Sequence, residues 1–446
     1  MENSWKRIPL GKLIALQRGH DLPSQDRIDG QIPIMGSSGL TGWHNISKCA
    51  GPGVVIGRSG NSMGVVSYSE EDFWPLNTCL YVTNFKGNDE RYIYYMLQQI
   101  DFDQFNSGSA QKSLNRNAIY PFEVNATTDT NEQKRIGKIL ANFENKITLN
   151  RQINQTLEEM AQALFKSWFV DFDPVVDNAL DAGFFEQDLE FSDELLSRAE
   201  ARKAVRESID FKRLPEEIRQ LFPAAFEGYS ESSIGLGGWV PEGWTIKCVS
   251  EVISINPKVS LAKNSIVKFV DMKALPTTGY SIEEVIEKPF TGGMKFKQDD
   301  VLLARITPCL QNGKTGIVDF LSDNEAGFGS TEFIILRGNK NIHYSYIACL
   351  ARHEKFRQHV MQSMVGSSGR QRVQNGCFDN YQIAVPSIEV MNSFASLVLP
   401  SFKKLKQNTS ESISLTRLRD TLLPKLISGE FRLSNCETET ADLEIT

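Results

Sequence analysis

One order of features runs through this 446-residue chain twice, and that duplication limits the possible folds more than any other property of the sequence. Each half opens on a tryptophan and a short apolar pattern: Trp5, Leu10, Leu13 and Ile14 in the first, and Trp244, Ile246, Val249, Val252 and Ile253 in the second. Each then reaches an apolar strand that ends in an arginine turn. The first copy is Val54-Val55-Ile56-Gly57-Arg58-Ser59-Gly60-Asn61, returning through Gly64-Val65-Val66. The second is Val301-Leu302-Leu303-Ala304-Arg305-Ile306-Thr307-Pro308, returning through Asn312-Gly313-Lys314-Thr315-Gly316 to Ile317-Val318. Branched apolar runs around a Gly-rich turn predict a β-hairpin in each half. A second strand follows (78–82 and 331–336), then an aromatic helix (92–99 and 344–352). A polar Gly/Ser loop and a Pro-bearing exit at Tyr120-Pro121-Phe122 and Ala384-Val385-Pro386 complete each copy.

After each globular unit comes a long helix. Ile136, Leu140, Phe143, Ile147, Asn150, Asn154, Leu157, Ala161, Leu164 and Trp168 step by four and three, a heptad seam with two Asn in its middle that specify register. The second seam is rougher: Phe394, Val398, Phe402, Leu405, Ile413, Leu418 and Leu422. Pro400 and Pro424 predict a bend or fraying there. At 1.5 Å per residue, helices of about 35–40 residues reach roughly 50–60 Å. Each has one apolar stripe to bury, so the two are expected to pair antiparallel. The expected fold is α+β. Two mixed α/β globular units (1–130 and 241–387) are separated by a coiled-coil spacer of two long antiparallel helices (131–172 and 388–432), with pseudo-two-fold internal repetition. Residues 173–240 form an acidic, partly helical linker, and 433–446 a disordered tail.

Composition enters through what it excludes. No run approaches the ~18 apolar residues a membrane span needs. The first 22 residues lack the apolar core of a signal peptide, so a cytoplasmic protein is expected. The seven cysteines are never spaced C-x-x-C and do not cluster with the five histidines, which fits reduced thiols and no metal site. The net charge of −7 weighs against a nucleic-acid partner, but it is unevenly spread. Residues 136–240 sum to −8, whereas 1–135 sum to −1 and 241–400 to +2.

The polar loops carry the candidate binding side chains. Arg58 with Asn61, and Arg305 with Asn312 and Lys314, sit in the two hairpin turns. An arginine fork there can bind guanine or a phosphate, and it can equally serve an internal ion pair. Ser109, Gln111, Lys112, Asn115 and Arg116 in the first polar loop, and Ser367, Arg370, Gln371, Arg372, Gln374 and Asn375 in the second, are rich in base-edge donors. Gly36-Ser37-Ser38-Gly39 is a further candidate loop. Catalytic machinery is not expected. Asn312-Gly313-Lys314-Thr315 looks like the end of a phosphate loop, but Pro308 stands where its first glycine belongs. Asp173-Pro174-Val175 is not an amino-methyltransferase motif, and Asp171 and Asp173 read as a solvated helix end. No Gly-rich cofactor fingerprint follows a strand.

The Trp-led openings, the Ile56-Gly57-Arg58 hairpin, the helix end Lys166-Ser167-Trp168-Phe169-Val170-Asp171-Phe172-Asp173-Pro174 and the helix end running from Leu422 to Phe431 carry a resemblance. In this doubled order they resemble the specificity subunit of Type I restriction–modification systems, over essentially the whole chain. The resemblance implies that each globular unit is a target-recognition domain reading one half of a split, asymmetric sequence in double-stranded DNA. It implies that the helices act as a ruler and dock two methyltransferase subunits, with a restriction subunit joining the complex. It also implies that this chain is not a catalyst and holds no cofactor; S-adenosylmethionine, ATP and magnesium belong to the partners. The competing reading is a two-headed coiled-coil scaffold for proteins, without DNA binding. A nuclease is a third, and no metal motif supports it.

Overall fold

The computed structural model describes residues 5–108, 111–231, 233–367 and 369–433. The chain divides into two compact units, Met1–Thr148 with Ser414–Thr446, and Leu149–Ile413. The boundary falls inside both long helices, so each unit contains one end of each.

In the first unit the apolar runs pair as an antiparallel sheet in the order Ala15–Arg18, Cys79–Asn84, Gly53–Gly57, Val66–Ser69. The expected hairpin is there, with Ile56 opposite Val66. A smaller sheet joins Gly39–His44, Ile32–Gly36 and Trp74–Pro75. The strand Trp5–Pro9 pairs with Glu123–Thr127, which returns the chain to its start before the first long helix. The aromatic helix Glu90–Gln98 begins at Asp89, whose carboxylate accepts from the Tyr92 amide, and it buries Tyr92, Ile93, Tyr95, Met96 and Leu97. These pack on Val54, Ile56, Leu80 and Val82 of the sheet, with Ile136 and Leu140 of the first long helix and Leu423, Leu426 and Ile427 of the second. Each such burial stabilises by about 1.5–3 kcal/mol, so the ends of both helices are pinned into this core. Gly429 ends the second helix at φ +74°, and a Cβ there would lie 2.4 Å from the Trp5 ring, so only glycine fits.

The second unit repeats the sheet order, Ile253–Ile255, Phe333–Gly338, Val301–Ala304, Thr315–Ile317. Its core gathers Phe165, Trp168 and Phe169 of the first helix, Tyr346 of the aromatic helix Tyr344–Arg352, and Phe394, Val398 and Phe402 of the second helix. Residues 173–240 fold against this core through Val175, Val176, Phe184, Leu195 and Phe222. Asp173 corrects one expectation. It is not a solvated helix end: it is 7% exposed and accepts from Ser167 Oγ at 2.8 Å and Arg198 Nε at 2.8 Å. Asp171 is paired too, with Lys166 and Arg198. The cause is helical spacing. Asp173, Asp177 and Asp181 recur every fourth residue on Asp173–Asp181 and face Arg198, Arg202 and Arg206, spaced alike on Asp193–Arg206. These pairs tie up three carboxylates of the segment and leave its net negative charge in place.

The long helices are Thr130–Phe169 and Ile388–Ser428, 40 and 41 residues. Within the second unit, Asn150 Nδ2 donates to Glu411 Oε2 at 2.8 Å, and Asn154 Nδ2 to Thr409 Oγ1 at 3.1 Å. Asn408 Nδ2 donates back to Asn154 Oδ1 at 2.9 Å. One helix ascends as the other descends, so they run antiparallel there, and the buried amides fix their register. The second helix runs on through Pro400 and Pro424 without the fraying that was one of the two expectations there. Both prolines are exposed, while Phe394, Val398, Leu423 and Leu426 of the same helix are buried.

Candidate nucleic-acid interface

In the first unit the arginine turn and the polar loop are stitched together by their backbones. Arg58 N donates to Thr78 O at 2.9 Å, Leu114 N to Arg58 O at 2.8 Å, and Gly60 N to Lys112 O at 3.0 Å. Gly57 admits the crossing of the 36–39 loop: a Cβ there would lie 2.0 Å from Ser62 O and 2.4 Å from Ser37 O. The result is an open cleft of 840 Å³ whose walls include Arg18, His20, Asp21, Arg58, Asn115 and Arg116. Arg18 Nε and Arg58 Nη1 both reach Asn77 O at 3.4 Å, and Arg116 Nη1 donates to Leu16 O at 3.0 Å. Among the described residues none of the three pairs with a carboxylate. Asp21, the one acid on the wall, accepts from Asn77 Nδ2. Three guanidinium groups held by neutral carbonyls keep their charge uncompensated, which suits a phosphate or the O6 and N7 acceptors of guanine.

The remaining first-unit candidates are mixed. Asn61 is exposed at the turn tip, and Gln111 is exposed on the loop. Lys112 is tied to Asp103 at 2.7 Å, an exposed pair worth little to stability. Asn115 caps the short helix Arg116–Ile119 through Asn117 N at 3.0 Å. Ser109 lies outside the described residues.

The second unit builds the same backbone frame. Arg305 N donates to Glu332 O at 2.9 Å, Val373 N to Arg305 O at 3.0 Å, and Thr307 N to Gln371 O at 3.2 Å. Arg305 thus stands where Arg58 does, Val373 where Leu114 does, and Glu332 where Thr78 does. The side chains differ. Arg305 Nε is spent on Val373 O at 3.1 Å. Arg372, at the position of Ser113, grips Glu332 through Nε at 2.9 Å and Nη2 at 2.6 Å. Hydrogen bonding first, and charge second, hold the Arg372 guanidinium more firmly protonated than usual. Ser367, Arg370, Gln374 and Asn375 are exposed beside it, and Gln371 is half-buried, its amide donating to Thr307 Oγ1 at 3.1 Å. Asn312 is exposed, but Lys314 turns aside: its Nζ donates to the carbonyls of Met272 at 2.9 Å and Lys273 at 3.2 Å. That use leaves the phosphate-loop likeness of 312–315 without its lysine.

Arg18, His20 and Glu332 escaped the sequence reading. Arg18 ends the strand Ala15–Arg18 and His20 follows it, just past the apolar pattern that was read through Ile14. Glu332 lies 40 residues from Arg372 with no motif to join them. Among the described residues no group of three or more His, Cys, Asp or Glu is placed to hold a metal ion, and no helix is long and apolar enough to cross a membrane. The six described cysteines are free thiols.

Residues 2–159 match the family model of the Type I restriction modification DNA specificity domain. The chain is 26% identical over 326 residues to the Type I restriction enzyme HindI specificity subunit of Haemophilus influenzae, covering 68% of each. It is 22% identical over 399 residues to the MjaIX specificity subunit of Methanocaldococcus jannaschii, covering 85% of this chain and 78% of that one. Residues 2–159 are thus similar to that DNA specificity domain, and most of the chain is similar to Type I restriction enzyme specificity subunits. Its fold is that of the crystallised S subunit of a Type I restriction-modification system from M. genitalium, with a TM-score of 0.55 and 15% identity over 95% of this chain and 96% of the other. The matched residues 2–159 include the Arg58 turn and its cleft. The Arg305 frame lies beyond the match.

Proposed function

We propose that this chain is the sequence-reading subunit of a Type I restriction–modification complex, non-catalytic in itself and acting on DNA in the cytoplasm. The observation that carries the reading is the arginine-turn frame laid down twice in one chain, with different side chains on it. Residues 1–130 and 241–387 are then target-recognition domains, each reading one half of a split and asymmetric site. The first presents Arg58, Asn61, Gln111, Lys112, Asn115 and Arg116, joined by Arg18 and His20. The second presents Arg305, Arg370, Gln371, Arg372, Gln374 and Asn375. The long helices set the gap between half-sites as a coiled-coil spacer, and their exposed faces dock two methyltransferase subunits. S-adenosylmethionine, ATP and magnesium act in those partners and in the restriction subunit. Two short readers on a fixed spacer multiply their discrimination, which is the physical use of such a repeat.

The test is methylated-base mapping in a host carrying this chain with its methyltransferase partner. A split motif of fixed gap that vanishes when this chain is deleted is the expected result. An unchanged methylome beside a demonstrably active partner overturns it and favours the protein scaffold. A fall of DNA affinity with rising salt separates those two readings in vitro.

A further inference from the structure

The second arginine frame carries an ion pair that the first lacks, and its geometry is specific. Arg372 offers Nε to both oxygens of Glu332, at 2.9 and 3.0 Å, and Nη2 to Oε1 at 2.6 Å. That consumes one edge of the planar guanidinium. The other edge, formed by Nη1 and the outer hydrogen of Nη2, donates to nothing among the described residues, and the side chain is 56% exposed. The backbone beneath is clamped from two sides: Arg372 bridges Ile306 on one flank and exchanges both hydrogen bonds with Val365 on the other. Glu332 is anchored in turn, 19% exposed, with its carbonyl accepting from Arg305 N. An exposed arginine normally loses rotamer freedom when it binds. This one has been ordered beforehand by a carboxylate, with a two-donor edge facing outward. Two parallel donors of that spacing match the O6 and N7 acceptors of guanine in the major groove.

Building on the DNA-reading function proposed above, we propose that Arg372 reads a guanine in the half-site of the second domain, and that Glu332 is its positioning residue. The first domain has Ser113 and Thr78 at these places, so the contact belongs to one half-site alone.

The experiment uses the full chain assembled with its methyltransferase partner, with target preference read by methylated-base mapping over a library of randomised sites. Parent, Arg372→Lys, Glu332→Gln and Arg58→Ala assemblies are compared. Arg372→Lys keeps the charge and loses the fork, so preference for one guanine falls roughly tenfold to hundredfold while the salt slope of binding stays unchanged. Glu332→Gln loosens the same position by less, and Arg58→Ala leaves it intact. If Arg372→Lys changes no position, or a position that is not guanine, or both halves alike, the assignment is wrong. A parent assembly that produces no split motif removes the DNA-reading function and this contact with it. A parent with a split motif and unmoved Arg372 and Glu332 variants removes the contact alone.

Discussion

The two arginine turns share a backbone and differ in almost everything a ligand would meet. Around Arg58 the guanidinium groups lean on neutral carbonyls and border an open cleft. Around Arg305 one arginine is turned inward to a carbonyl and its neighbour is locked to a carboxylate. The backbone ladder needs only amides and carbonyls at fixed places, so it survives wide divergence. The side chains above it are free to vary. On the proposed reading, a duplicated frame with unlike faces lets one chain address two unlike half-sites.

The comparison can be broken most forcefully in the second domain's scaffold. Asp300 is fully buried, bonded twice by Arg337 at 2.6 and 2.7 Å and once by Lys297 N at 2.7 Å. Asp300→Ala strands that guanidinium and is expected to cost about 3–5 kcal/mol. Limited proteolysis should then open the second unit while peptides of the first stay protected. Loss of both together would show that the units do not fold independently.

Next in size is Arg58→Ala. Its uncompensated charge in the cleft predicts a loss of about 1–3 kcal/mol in binding, with altered preference confined to the half-site of the first domain. Equal loosening of both halves in methylome mapping would contradict the division of labour.

A smaller effect separates the units by pH. Burial, opposed by the nearby Lys406 charge, raises the carboxyl of Asp319 above its ordinary value. A carboxyl whose pKa is higher folded than unfolded costs stability at neutral pH, and the cost fades as pH falls through the carboxylate range. Asp319→Asn should therefore raise the melting temperature of the second unit at pH 7, and give no gain near pH 3. A gain independent of pH would point to packing instead.

The smallest expected change is at Lys112. Its exposed pair with Asp103 contributes about 0–1 kcal/mol, so Lys112→Ala should hardly move the melting curve. If Lys112 meets a phosphate, the salt slope of DNA binding falls by about 0.9. An unchanged slope would leave it an ordinary surface lysine.

Much of the fold was legible because it depends on period. The seam through Ile136, Leu140 and Ile147 gave the first helix, and the runs at 54–56 and 301–304 gave the central strands. The fraying expected at Pro400 and Pro424 did not appear, because position alone says nothing about which face of the helix meets water. Asp173 misled because its partners Arg198 and Arg202 arrive only when a second helix folds back on the first. At the candidate site, Arg58 and Arg305 stood out as the polar ends of apolar strands. The cleft residues Arg18 and His20 did not, since nothing in their own neighbourhood marks them.

The sequence alone determined the strand-turn-helix order, the long helices and the two Asn in the first seam, because each is written in local spacing. The tertiary structure decided which residues share a surface. It placed Asn408, Glu411 and Thr409 opposite those Asn, brought Lys112 beneath Gly60, and set Glu332 against Arg372. Such contacts depend on how distant strands and helices register. That register is chosen by the summed burial of many side chains, and no single stretch of sequence contains it.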